Sequence, residues 1–201
     1  MCDLYTVTTD QAAIIAFARA TLDTTGNLEL VSGISPDNLA PIVRNTPGGG
    51  RELTLARWGI PAPLAFSVTS ITNIRNTKNR YWAPWLRIEN RCVVPWTSFC
   101  EYAQTISKKT PTWFSLTEER PLAFFSAIWA NPRNSERPHF GLLTTEANDV
   151  VGAIHPDSMP VILTTSEEIE AWMTASADDI LELQRPLPDG ALQIVSKTRL
   201  R

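Results

Sequence analysis

Between Glu52 and Thr145 the chain is cut into short runs with strand character, LTLARWG, SITNI, RCVVP, SFCEYA, TWFSL, LAFFSAIW and HFGLLTT, each closed by turn residues. Runs this short, rich in β-branched and aromatic residues, must pair with neighbours to persist, and so many of them in succession point to a sheet that bends back on itself. Helices are expected around this core. Residues 10–22 place Ile14, Phe17, Ala18, Thr21 and Leu22 at helical spacing behind Thr9 or Asp10 as N-cap. Asn79–Glu89 carries Trp82, Trp85 and Leu86 at the same spacing and predicts a short helix with Pro84 near its start. Two more are predicted at Ser166–Met173, capped by Thr165 or Ser166, and at Ala177–Gln184, before a last strand at Ala191–Val195. Residues 33–51, rich in Pro, Gly, Asn and Asp, predict a turn-laden connection with at most one short strand, Ala40–Arg44. The order predicts an α+β fold: one domain over residues 1–201, with a strongly curved, mostly antiparallel sheet or barrel flanked by helices.

Composition narrows the class. The 201 residues are 43% apolar and 19% charged, enough for a sizeable core and incompatible with disorder, collagen-like repeats or coiled coil. No stretch approaches the roughly 18 apolar residues of a membrane span, and Met1-Cys2-Asp3 is not a basic signal-peptide start, so a cytoplasmic protein without a membrane partner is expected. Three cysteines spaced far apart, Cys2, Cys92 and Cys100, form neither a disulfide framework nor a zinc ribbon; neither metal nor other cofactor is expected.

The net charge of −3 argues against a nucleic-acid partner, but its distribution does not. Between Arg44 and Arg91 lie eight basic residues against Glu52 and Glu89, a net of +6, which leaves −9 for the rest. Such asymmetry fits a basic face for an anionic ligand and equally a solvated sheet face.

Cys2 is the most informative residue. A cysteine behind an initiator Met becomes, once the Met is removed, a 1,2-aminothiol whose amine titrates near about 8 and whose thiol traps what the amine captures. Amine and aldehyde give a Schiff base, and the thiol closes it to a thiazolidine. The same residue could instead act as an N-terminal nucleophile on an amide, or be incidental. Glu101, within the apolar run SFCEYA, becomes a general acid or base if burial raises its pKa; a core arginine partner is the structural alternative. His155, in AIHPDSMPVIL, is presented by a loop with a proline on either side of Asp-Ser-Met, or simply caps a turn. In Thr72-Asn73-Ile74-Arg75-Asn76, strand alternation puts Asn73 and Arg75 on one face, an amide for a polar substrate and a guanidinium for phosphate. Trp58, in Arg57-Trp58-Gly59-Ile60-Pro61, is placed either to stack on a base or to fill the core.

Taken in order, the Met1-Cys2 start, RWGIP at 57–61, NIR at 73–75, RCVVPWTSFCEY at 91–102, SAIW at 126–129, LLTTEAN at 142–148 and IHPDSMPVIL at 154–163 resemble the SRAP family, the SOS-response-associated peptidases. The resemblance implies a single curved β domain wrapped by helices, and a covalent thiazolidine link between the N-terminal cysteine and the ring-opened aldehyde of an abasic site in single-stranded DNA. It also implies autocatalytic loss of Met1, with autopeptidase and lyase activities attached to the same site. By motif, Cys2 is the crosslinking nucleophile, Asn73 orients the sugar, Glu101 and His155 manage protons, Arg75 holds phosphate with Arg57 and Arg80 as further DNA contacts, and Trp58 packs against DNA near the lesion. A monomer, nucleoid-associated when bound to DNA, is expected. The chain departs from the family pattern where Cys-Gly-Arg-Phe becomes Cys2-Asp3-Leu4-Tyr5, where GFYEW becomes SFCEY, and where Ser158 replaces an arginine before Met159. A cysteine peptidase or amidohydrolase built on Cys2 is the competing activity, and a non-catalytic DNA-binding module a third.

Overall fold

The structure, a computed structural model, describes residues 2–63, 70–103, 110–133 and 135–196. Its first half runs β1 (Leu4–Val7), α1 (Gln11–Ala18), β2 (Leu22–Asp23), β3 (Val31–Ile34), β4 (Leu39–Asn45), β5 (Arg51–Trp58), β6 (Ile60–Pro61), β7 (Ser70–Ile71) and β8 (Asn73–Ile74). The second half runs β9 (Arg91–Trp96), β10 (Ser98–Tyr102), β11 (Pro111–Ser115), β12 (Ala123–Ala130), β13 (His139–Thr145), α2 (Asp149–Gly152), β14 (Met159–Pro160), β15 (Ile162–Leu163), α3 (Ser166–Thr174) and β16 (Gln193–Val195).

Pairing closes the central strands into a ring. β5 pairs with β4, β4 with β9, β9 with β12 and β12 with β13, all antiparallel. β13 then returns to β5 in parallel, His139 beside Arg57 and Phe140 beside Trp58, so the sheet becomes a barrel without free edges along these strands. A second sheet, ordered β16-β11-β10-β1-β3, lies against it. Tyr5 of β1 meets Trp58 and Phe125 edge-on at 5.3 and 5.7 Å, and Phe99 of β10 meets Trp96 at 5.4 Å. One row of the second sheet thus faces the barrel, while Leu4, Cys100, Trp113 and Val195, in register across four strands, form a separate small apolar cluster. The expected curved, mostly antiparallel α+β architecture is the one found.

Differences from the sequence reading have local causes. α1 is capped by the Asp10 carboxylate, which accepts from Ala13 N at 2.7 Å, and ends at Ala18 because Arg19 turns left-handed with φ 53°. Thr21 N then donates to Arg51 O and Leu22–Asp23 joins β5 in parallel, leaving Leu22 51% exposed rather than on a helix face. Over 79–89 there is no α-helix: successive turns lead to a 3-10 turn at Ile88–Asn90, since Pro84 has no N–H to continue a helical ladder. Residues 177–184 contain a 3-10 helix, Asp179–Leu183, instead of an α-helix. β1 gave no periodic signal, and the strand predicted at Ala40–Arg44 is the longer Leu39–Asn45, with β3 just ahead of it. α3 matches its expected span, with a reciprocal capping box between Thr165 and Glu168. Among the described residues no helix is long and apolar enough to cross a membrane.

Candidate active site

β1 decides where Cys2 sits. Its antiparallel register with β10, Leu4 opposite Cys100 and Tyr5 opposite Phe99, carried one step outward puts Asp3 beside Glu101. Cys2 itself is fully buried in the main core cluster, its Sγ directed at Leu4 O at 3.9 Å. Glu101 is only 1% exposed. Burial, reinforced by the charge of Asp3, pushes its carboxyl up to about 7, so both protonation states are populated at neutral pH. Burial, then the neighbouring Glu101 charge, pushes the Cys2 thiol well above its ordinary range. The two groups therefore share one poorly solvated space.

Asn73 enters the same space from β8, which lies parallel to β13 with Asn73 opposite Leu142. Its Nδ2 donates to Cys2 O at 3.2 Å and to Thr72 Oγ1 at 3.0 Å; its Oδ1 is buried and accepts no hydrogen bond from the described residues. The carboxamide is thus oriented by the chain it will work beside. The indole of Trp58 sets the height of β8, donating to Thr72 O at 3.0 Å.

That contact corrects the expectation for Trp58. Fully buried between Tyr5 and Phe140, it has no face to offer a base; it supports Asn73 from below. The adjacent Arg57 is exposed and donates to Asp37 O, and Arg80 is exposed in the turns that follow β8.

His155 follows α2, with its backbone N donating to Val151 O at 2.8 Å. Asn148 caps that helix at Val151 N and ties it to Leu187 O. Arg75, two residues beyond Asn73, donates to Asp157 O at 3.3 Å and pairs with Glu146 at 3.4 Å, which joins the His155 loop to the Asn73 strand. Cys2, Asn73 and Glu101 are thus in one cluster, and the His155 loop is fastened to its flank.

The +6 segment does not form one basic face. Arg44 pairs with Glu52 at 2.8 Å, Arg51 is buried against Ala18 O and Glu170, and Arg91, 1% exposed, donates to Leu86 O, Trp172 O and Ala175 O. Three of the eight cations hold the fold, leaving Arg57, Arg75, Lys78, Arg80 and Arg87 exposed. Two residues of the cluster escaped the sequence reading: Asp3, which acts on Glu101, and Tyr5, a buried phenol that burial and then Cys2 and Cys92 push up. A strand recognised at Leu4–Val7 would have revealed both. Among the described residues no group of three or more His, Cys, Asp or Glu is placed to hold a metal ion.

Fold and site together define a single-domain, curved-sheet protein organised around a buried cysteine next to its amino terminus, with a carboxyl near neutrality and an oriented carboxamide beside it. The chain matches the family described as SOS response associated peptidase (SRAP) over residues 1–198 and belongs to it. Among solved structures, a protein from Bordetella bronchiseptica superposes with TM-score 0.76 at 21% identity, covering 99% of this chain and 100% of that one. One from Bacteroides thetaiotaomicron gives 0.75 at 18%, covering 96% and 90%, and a phage-related protein from Bordetella bronchiseptica gives 0.73 at 21%, covering 96% and 92%. These likenesses concern the fold. A search of curated proteins returns no match.

Proposed function

We propose that the chain captures abasic sites in single-stranded DNA through Cys2, freed of Met1, as a thiazolidine with the aldehyde of the ring-opened sugar. The observation that carries this reading is the convergence of Cys2, Glu101 and Asn73 in a space with little water. The amine adds to the aldehyde carbon, the carbinolamine hydroxyl leaves as water to give an iminium that keeps one N–H, and the thiol adds to the C=N carbon while its proton passes to the Glu101 carboxylate. Aldehyde and aminothiol thereby become thiazolidine and one water. Glu101, titrating near 7, donates the proton that the leaving hydroxyl needs and accepts the one the thiol gives up. Asn73 Oδ1 is an open acceptor for a sugar hydroxyl while its Nδ2 holds the Cys2 carbonyl. His155 assists opening of the sugar ring. Arg75, half-exposed, takes phosphate, with Arg57 and Arg80 as further contacts.

The family's description favours a second reading, in which Cys2 attacks a peptide bond. Attack on an amide needs a thiolate, and burial together with Glu101 holds the Cys2 thiol protonated, which makes this reading the weaker one. The two separate on a denaturing gel combined with intact-mass measurement. Abasic single-stranded oligonucleotide should give a covalent shift and the intact oligonucleotide none, with the reacted protein beginning at Cys2. Cys2→Ser should leave only a labile Schiff base. A fully reactive sample that retains Met1 would overturn the proposal, as would an equal shift with intact DNA.

A further inference from the structure

A cavity of about 640 Å³ opens where the ends of β4 and β12 meet the Ile88–Asn90 turn and the start of β5. It shares no residue with the Cys2 cluster, and its volume is that of a ligand cleft rather than of an ion site. Arg44 is the sole cation among its described lining residues, and it is already engaged. Its guanidinium lies over the Trp129 ring at 4.3 Å and pairs with Glu52 at 2.8 Å, whose other oxygen accepts from the Thr24 hydroxyl. Glu89, its side chain 67% exposed, has a stretched contact with Arg87 at 3.9 Å and lies within electrostatic reach of the buried Arg91. The lining carries one positive and two negative charges, a net of −1.

Two of the three lining carboxamides are biased in the same direction. Asn45 donates its N–H groups to Ile88 O and Met173 O, and Asn90 donates to Trp129 O. Their side-chain carbonyls accept no hydrogen bond from the described residues, so both remain as acceptors. Ile88, 43% exposed, adds an uncovered apolar wall beside the indole. Such a cavity has a net negative lining, free carbonyl acceptors on Asn45 and Asn90, and enough apolar surface for a methylene stem.

We infer that this cavity receives an arginine or lysine side chain of a peptide partner, its stem on Ile88 and Trp129 and its cationic head on Glu89 and the carbonyl oxygens of Asn45 and Asn90. Charge complementarity selects this occupant: a DNA strand would bring its phosphates against Glu89 and a lining of net negative charge. The site stands apart from whatever reacts at Cys2.

The test is a chemical-shift titration of the full chain with Nα-acetyl-arginine methylamide, its citrulline isostere and the corresponding glutamate compound. The arginine compound should shift the amides of Ile88, Glu89 and Asn90 and the Trp129 indole saturably, with a dissociation constant roughly in the millimolar range expected of so few atoms. The neutral citrulline compound should bind several-fold more weakly and the glutamate compound not at all. Glu89→Gln, at an exposed position that leaves folding intact, should weaken arginine binding by about two- to fivefold. Crosslinking to abasic DNA by this variant should match wild type. No saturable shift at these residues, equal binding of arginine and citrulline, or displacement of the arginine compound by an oligonucleotide would each overturn the proposal.

Discussion

Glu101 sets chemistry against stability within one side chain. Its carboxyl, ordinarily near 4.5 and here near 7, keeps its proton in the folded state where the unfolded chain would release it. Folded protein therefore binds more protons between these values, and stability falls as pH rises from about 4.5 to 7 and is level above. The shift corresponds to a loss on the order of 3 kcal/mol. Glu101→Gln should accordingly show a flatter dependence of denaturant midpoint on pH and be the more stable protein at pH 8. The same variant should slow crosslinking by about 10²-fold or more without preventing the final product. Wild type should show an inflection in rate near pH 7, and this variant should lose it. Wild-type rates in a time course on abasic single-stranded DNA would assign Glu101 to structure alone.

β8 is two residues long and owes its position to elements on either side. β13 fixes its register, Trp58 supports Thr72, and Arg75 fastens it to the His155 loop. Trp58→Phe keeps an aromatic ring between Tyr5 and Phe140 but removes the indole donor, leaving Thr72 O short of one partner. A loss of about 1 kcal/mol in unfolding free energy is expected. The larger effect should fall on the reaction: once β8 is loosened, Asn73 is held less well. Crosslinking should slow while noncovalent affinity for the oligonucleotide stays close to wild type. An affinity loss as large as the rate loss would return Trp58 to the binding surface. Gly59, next in the chain, serves the same packing: its φ of 129° suits glycine, and an added Cβ would lie 3.1 Å from Ser70 Cβ.

Across the whole molecule the basic residues divide by burial. Arg91 is a fold residue, its guanidinium tying the start of β9 to the end of α3 through Trp172 O and Ala175 O and to the preceding turns through Leu86 O. Arg91→Ala would strand those acceptors and should cost about 3 kcal/mol or more of stability. DNA affinity measured on the folded fraction should keep its salt dependence. Arg75→Ala should do the reverse, lowering the slope of log affinity against log salt by about 0.7 for a single strand. Equal slopes for wild type and Arg75→Ala would remove Arg75 from the phosphate contacts.

What the sequence determined by itself was whatever depends on neighbours along the chain. Short runs of β-branched and aromatic residues closed by turns marked the long strands, and Thr165 or Ser166 as cap marked the start of α3. The residue types at 2, 73, 101 and 155 singled out groups able to do chemistry. The tertiary structure decided what depends on residues far apart. The parallel return of β13 to β5, which closes the barrel, rests on Phe140 meeting Trp58, and no local pattern encodes that pairing. Burial likewise comes from elements distant in sequence. The same indole that could have stacked on a base is sealed by Tyr5 and Phe140, and three of the eight cations in one basic segment are drawn inward by Glu52, Glu170 and carbonyls of α1 and α3. The raised carboxyl of Glu101 belongs to this second class. Sequence supplied the carboxylate, but desolvation by a sheet and a barrel packed together sets its proton affinity, because the energy of a charge is fixed by everything that excludes water around it.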